Sequence, residues 1–257
     1  METVLLTVAY DGSRYYGWQR QTKLRSVQGE LEKALSHALK QPITVDASGR
    51  TDAGVHGLAQ TVTFRYIKTL PIEKMVVVIN RRLPEDIIIL SAEKVNDDFH
   101  ARYCAIAKAY EYHFAFGCDR NPFNSSYRYN QPHHLDIDKM IVAMKDFEGT
   151  HDFTAFQATG SEKENTIRTI YKVHLEKRND EFVFTVVGNG FLYNMVRIMM
   201  GTLFSIGNGQ IPEASIPQII KSQLRANAKV TAPANGLYLK QVFYDKASLE
   251  NFIKNLN

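Results

Sequence analysis

Ile43-Thr44-Val45-Asp46-Ala47-Ser48-Gly49-Arg50-Thr51-Asp52-Ala53-Gly54-Val55-His56-Gly57 runs from an apolar segment into a polar loop, and Leu58 to Tyr66 continues it as a second apolar segment. Ile43 to Val45 and Leu58 to Tyr66 read as strands, so the chain passes here from strand to strand without a helix. A sheet that presents such a loop offers it to a ligand from a rigid base. Its three glycines let the backbone turn sharply, and Arg50, Thr51, Asp52 and His56 crowd between them. Spacing alone leaves a second reading open: a Gly-rich turn in which Asp52 caps a helical turn or pairs with Arg50.

Working outward, the same pattern frames the loop on both sides. Val4, Leu6 and Val8 alternate with Leu5, Thr7 and Ala9, a strand expected to be buried on both faces and to end at Asp11-Gly12. Val27, Leu31, Ala34, Leu35 and Ala38 recur at helical spacing after Ser26, a good N-cap. Beyond the loop, Pro71 opens a helix with Ile72, Met75, Val76, Ile79 and Leu83 along one side, and Ile87 to Ala92 supplies a further strand. The first half is thus strand, helix, strand, strand, helix, strand.

The second half repeats that order without a sequence repeat. Cys104 to Phe116 reads as a long strand broken by Asp119-Arg120-Asn121-Pro122, and Ile137, Met140, Ile141, Met144 and Phe147 mark a helix. A loop from Gly149 to Asn165 precedes strands at Ile167 to Leu175 and Phe182 to Gly188, which turn at Asn179-Asp180. A helix at Phe191 to Ile206, a Pro-bearing stretch with a short helix, a strand at Leu237 to Tyr244 and a closing helix at Lys246 to Asn257 follow. The expected fold class is α+β: two ferredoxin-like (split βαβ) halves, 1–102 and 103–257, with antiparallel sheets flanking a central cleft.

Composition narrows the class but names no activity. At 44% hydrophobic and 23% charged residues over 257 positions, the chain reads as globular with a core that needs no staples. Its two cysteines, Cys104 and Cys118, have no metal-type spacing; small apolar fillers are expected, with a disulfide as the alternative. Together with the lack of a signal-peptide pattern, this points to a reducing cytoplasm. No apolar run approaches the roughly 20 residues of a membrane span. A formal charge of +4 is too mild to identify nucleic acid as the partner.

Two further stretches carry chemistry. Between Ser13 and Arg25, Arg14, Arg20, Lys23 and Arg25 are interleaved with Tyr15, Tyr16 and Trp18, so cations for phosphates stand beside rings that can stack on bases. The alternative is a polar loop whose Trp18 plugs the core edge. Arg197 is the lone cation of a helix otherwise apolar nearly all round, and a buried guanidinium needs an anionic or strongly accepting partner. An internal carboxylate, a substrate phosphate or a snorkelling geometry would each satisfy it. On pattern alone, Tyr110 is a cross-strand tyrosine and Leu237 the start of an apolar strand. Lys163, Arg168, Arg225 and Lys229 read as surface charges. His56, His100, His133, His134 and His151 lack metal-ligand spacing, and phosphate-loop, nucleophile-elbow and dinucleotide fingerprints are absent.

Gly49 to His56 also resembles the signature of the TruA family of tRNA pseudouridine synthases. Similar matches are found at Lys108-Ala109-Tyr110-Glu111-Tyr112, His151 to Phe156, Gly190 to Arg197 and Gly236-Leu237-Tyr238-Leu239. The resemblance implies the pseudouridine synthase fold and isomerisation of uridine in the anticodon stem and loop of tRNA, at tRNA positions 38, 39 and 40. It makes Asp52 the nucleophile, Arg197 its counter-ion, Tyr110 the ring that stacks on the base and Leu237 an apolar wall of the base pocket. Arg50 would enter the space left by the flipped nucleotide or clamp its backbone. It further implies no cofactor and no metal, with tRNA and a second copy of the chain as partners. Gly57 departs from the alanine common at that place. Two other readings of Asp52 stand beside this one: a structural residue in a non-catalytic RNA-binding protein, and the phosphate acceptor of an aspartyl-phosphate enzyme.

Overall fold

A computed structural model describes residues 1–67, 69–117, 121–160 and 165–256. The alternative disulfide at Cys118, the strand break at Asp119-Arg120 and the surface charge of Lys163 lie outside these residues. Contacts group the chain into two compact units, Met1–Ile106 with Tyr238–Tyr244, and Ala107–Leu237 with Asp245–Asn257.

In the first unit β1 (Glu2–Tyr10), α1 (Val27–Leu39), β2 (Asp46–Ala47), β3 (His56–Tyr66), α2 (Ile72–Asn80) and β4 (Ile87–Val95) follow the expected order. β1 lies antiparallel between β4 and β3, and β2 pairs antiparallel with the far edge of β3 at Val62 and Thr63. That order, β4-β1-β3-β2, is the split βαβ arrangement. β10 (Leu237–Phe243) joins the same edge of β3 in parallel, with Tyr238 opposite His56 and Leu239 opposite Gly57.

Helices on a single face of this sheet correct the expectation that β1 is buried on both. Val4, Leu6, Val8 and Tyr10 point into a core with Val27, Leu31 and Leu35 of α1 and Met75 and Ile79 of α2, whereas Leu5, Thr7 and Ala9 are only half-buried. Ser26 caps α1 as expected, its hydroxyl accepting from the Gly29 N–H. Boundaries also move: β3 starts at His56 rather than Leu58, and β4 runs on to Val95 rather than ending at Ala92. Ile43 and Val45 are buried but lie outside the ladder, and the strand is Asp46–Ala47; Leu83 lies beyond the end of α2.

In the second unit β5 (Ala107–Phe116) pairs antiparallel with β9 (Glu181–Gly188), β9 with β8 (Ile167–Arg178), and β8 with β7 (Gly149–Asp152). The tight turn between β8 and β9 places Asn179 at φ +53. β7 lies within the expected loop, and β6 (Tyr129–Gln131), which pairs in parallel with the end of β5, was also unforeseen. α3 (Ile137–Met144), α4 (Met195–Gly207), α5 (Ser215–Ser222) and α6 (Lys246–Lys254) complete the unit. α4 starts four residues later than the expected Phe191, since Asn194 stands at φ +59 and breaks the helical path.

Candidate active site

The loop of residues 48–55 is held along its whole length by other parts of the first unit. On its N-terminal flank the Ser48 N–H donates to the Thr61 carbonyl at 2.9 Å and the Ser48 hydroxyl to Gln60 Oε1 at 2.5 Å. Gln60 Nε2 in turn donates to the Gly49 carbonyl at 2.9 Å. At the centre, the Tyr10 hydroxyl and Thr51 Oγ1 are hydrogen-bonded at 2.8 Å, and the Thr51 carbonyl accepts the Trp18 N–H at 3.0 Å. On the C-terminal flank the Val55 N–H closes a turn onto the Asp52 carbonyl, with Gly54 at φ +79, and the Gly54 N–H donates to the Tyr15 carbonyl. Asp52 is half-buried in this turn, and Arg50 is exposed.

Close approach of residues 12–17 makes that grip possible. A Cβ on Gly12 would fall 1.9 Å from the Val55 carbonyl oxygen, and one on Gly17, at φ +90, would fall 2.8 Å from that of Thr51. His56 is 1% exposed, accepts the Gly12 N–H at Nδ1 (3.1 Å) and stacks on Tyr238 with ring centroids 4.6 Å apart. It therefore braces the end of the loop. Gly57 acquires a reason as well: a Cβ there would lie 2.5 Å from the Tyr10 ring.

The basic stretch divides into two kinds of residue. Arg25 pairs with both carboxylate oxygens of Asp86, at 2.9 and 3.1 Å, and lies over the Tyr15 ring, while Tyr15 donates its hydroxyl to Asp86. Arg14 reaches the same carboxylate at 3.0 Å, and Arg20 meets the buried Glu32 at 2.7 Å. Arg14 and Arg20 remain largely exposed, as does Lys23, whereas Arg25 is a structural anchor. Trp18 is 1% exposed, so the loop also plugs the core edge.

In the second unit, Tyr110 sits on β5 opposite Val186, nearly buried, with its ring edge-on to Phe191 at 5.1 Å between centroids. Leu237 is buried immediately after the turn of residues 234–236. Every residue of α4 except Arg197 is buried. Its guanidinium is aimed by two bonds within the unit: Nη1 donates to Asn194 Oδ1 at 2.6 Å and Nε to the Ala232 carbonyl at 2.7 Å. The Ala232 N–H donates back to the Arg197 carbonyl, along a segment so close that a Cβ on Gly201 would fall 1.7 Å from the Val230 carbonyl oxygen. Asn194 thus sets both the start of the helix and the aim of the arginine.

A family model described as tRNA pseudouridine synthase matches residues 6–104 and 143–245. The chain belongs to the tRNA pseudouridine synthase family. It is accordingly an isomerase that converts uridine to pseudouridine in tRNA. The chain is similar to "tRNA pseudouridine synthase A" of Lacticaseibacillus casei, 48% identical over 93% of this chain and 98% of that protein. It is likewise similar to the proteins of that name from Lactobacillus helveticus, at 44% identity over 94% of this chain and 93% of the relative, and Exiguobacterium sp., at 42% over 96% and 99%. Membership in the family displaces the non-catalytic and aspartyl-phosphate readings.

Sequence reasoning missed the groups that hold the site together: Gln60, Asp86, Glu32 and Asn194. Each is a polar residue whose partner lies far along the chain or on the next turn, so periodicity alone gives no signal for it. Among the described residues no three His, Cys, Asp or Glu side chains are grouped as metal ligands would be, and no helix is long and apolar enough to cross a membrane.

Proposed function

We propose that the uridines isomerised are those of the anticodon stem and loop, and that Asp52 is the nucleophile. The observation that carries this reading is the loop itself: an aspartate in a half-buried turn whose flanks are hydrogen-bonded to β3 and to residues 10–18, so that its carboxylate is presented with little freedom to lose on reaction. The reaction breaks the N1–C1′ bond, forms a C5–C1′ bond, loses the proton at C5 and gains one at N1. No group or electron leaves the substrate, and the resemblance implies no cofactor. A carboxylate nucleophile splits such an exchange into two easier steps.

Arg197 serves as counter-ion to Asp52, keeping the carboxylate ionised and oriented. Tyr110 supplies a flat ring on a rigid strand for the extruded base, with Leu237 as an apolar wall. Arg50, exposed beside Asp52, occupies the space of the flipped nucleotide or clamps its backbone. Arg14, Arg20 and Lys23 are the exposed cations of the basic stretch available to phosphates. A second copy of the chain shares in holding one tRNA, and the enzyme works in the cytoplasm.

The experiment is to incubate an unmodified tRNA transcript with the protein in chelator-containing buffer and map pseudouridine by a base-specific chemical adduct. Product confined to the anticodon stem and loop is expected; product elsewhere, or none, would refute the assignment. Tyr110→Phe should retain turnover and Tyr110→Ala lose most of it, and equal behaviour of the two would remove the stacking role.

A further inference from the structure

Gln60 is out of place on pattern alone: a primary amide with no exposure at all, in a strand where Val62 and Phe64 on the same alternation enter the apolar core. A buried amide is costly unless each of its groups is hydrogen-bonded. Here all are engaged, and most partners belong to one loop. Oε1 accepts the Ser48 hydroxyl at 2.5 Å and the Thr61 N–H at 3.2 Å, while Nε2 donates to the Gly49 carbonyl at 2.9 Å. Beside it, the buried Tyr10 hydroxyl is hydrogen-bonded at 2.8 Å to Oγ1 of Thr51, the residue before Asp52.

From this geometry we infer that Gln60 and Tyr10 are positioning residues for Asp52, a buried brace that fixes the loop at Ser48, Gly49 and Thr51. The inference rests on the reading of Asp52 as nucleophile. The amide suits the task because its oxygen accepts from the Ser48 hydroxyl while its NH2 donates to the carbonyl of the next residue, Gly49. Tyr10 carries the brace two residues further, and its ring fits over Gly57 because no Cβ stands there. Both side chains are buried. Both act by restricting where the Asp52 turn can go, and small displacements of a reacting group cost rate steeply.

The test compares wild type, Asp52→Asn, Tyr10→Phe, Gln60→Leu and the Tyr10→Phe/Gln60→Leu double variant in single-turnover pseudouridine formation, with tRNA affinity and thermal stability measured alongside. Each brace variant should lower the saturating rate by roughly 10- to 100-fold with tRNA affinity changed less than about two-fold. The double variant should be little slower than the worse single one, as expected of residues that act as a unit. A lower melting temperature with an unchanged saturating rate would make the brace merely structural and overturn the inference. If Gln60→Leu does not fold, Tyr10→Phe, which removes one oxygen and keeps the ring, decides alone: a wild-type rate overturns the inference. Full activity of Asp52→Asn would instead overturn the nucleophile reading, an outcome distinct from an inactive Asp52→Asn beside fully active brace variants.

Discussion

Asp86 illustrates how much of the site depends on single residues that do no chemistry. Burial on its own raises the Asp86 carboxyl, but hydrogen bonds from Arg25 and Tyr15 and the charges of Arg25 and Arg14 outweigh it and hold the group below its ordinary value of 3.8. A carboxylate depressed in the folded state contributes stability above the unfolded value and loses it as pH falls through the folded one. Asp86→Asn should therefore cost about 2 kcal/mol near neutrality, the scale of a hydrogen bond to a charged group. Its difference from wild type should shrink as pH drops below 3.8, which melting curves across pH would reveal. A constant difference down to the acid limit would contradict the ion-pair account. Because Tyr15 gives its hydroxyl to Asp86 and its carbonyl to the Gly54 N–H, this anchor bears on the Asp52 turn as well.

At the scale of elements, what could be read in the sequence was what repeats. The apolar positions of α1 and the cap at Ser26 announced that helix, and the alternation in β1 and β3 announced those strands. β7 was hidden because Gly149-Thr150-His151-Asp152 is short and polar, and only its register against β8 makes it a strand. The start of α4 was hidden for the opposite reason: Gly190 to Asn194 is apolar enough to extend the helical stripe, and a single left-handed residue ends the extension. That residue yields a prediction. Asn194→Gly keeps the backbone at φ +59 while deleting the side-chain oxygen that accepts from Arg197 Nη1. The melting temperature should change little, and turnover should fall about ten-fold if the arginine must be aimed to serve Asp52. Unchanged turnover would separate the arginine's orientation from its role.

For the whole molecule, the order of elements carried the fold class, and the Asp52 and Arg197 motifs carried the family, so both are legible in the sequence. The bracing was not, because Gln60 meets Gly49 across the pairing of β2 with β3, and Arg25 meets Asp86 across the pairing of β4 with β1. Nor did charge identify the partner: of the four candidate RNA-contacting cations, Arg14, Arg20 and Arg25 are paired with buried carboxylates, and only exposure separates anchors from contacts. Phosphate contact by the exposed ones should make tRNA affinity fall linearly with the logarithm of salt concentration. Replacing Lys23 by Ala should reduce that slope, whereas an unaltered slope would remove Lys23 from the interface.

In the proposed function, one carboxylate on a braced loop performs the isomerisation. Its most direct measurement is the single-turnover yield of pseudouridine from an unmodified tRNA transcript with wild type and with Asp52→Ala at matched, saturating protein. Product at the anticodon stem and loop is expected with wild type and none above background with Asp52→Ala, although both bind the tRNA; equal yields from the two proteins would rule out Asp52 as the nucleophile.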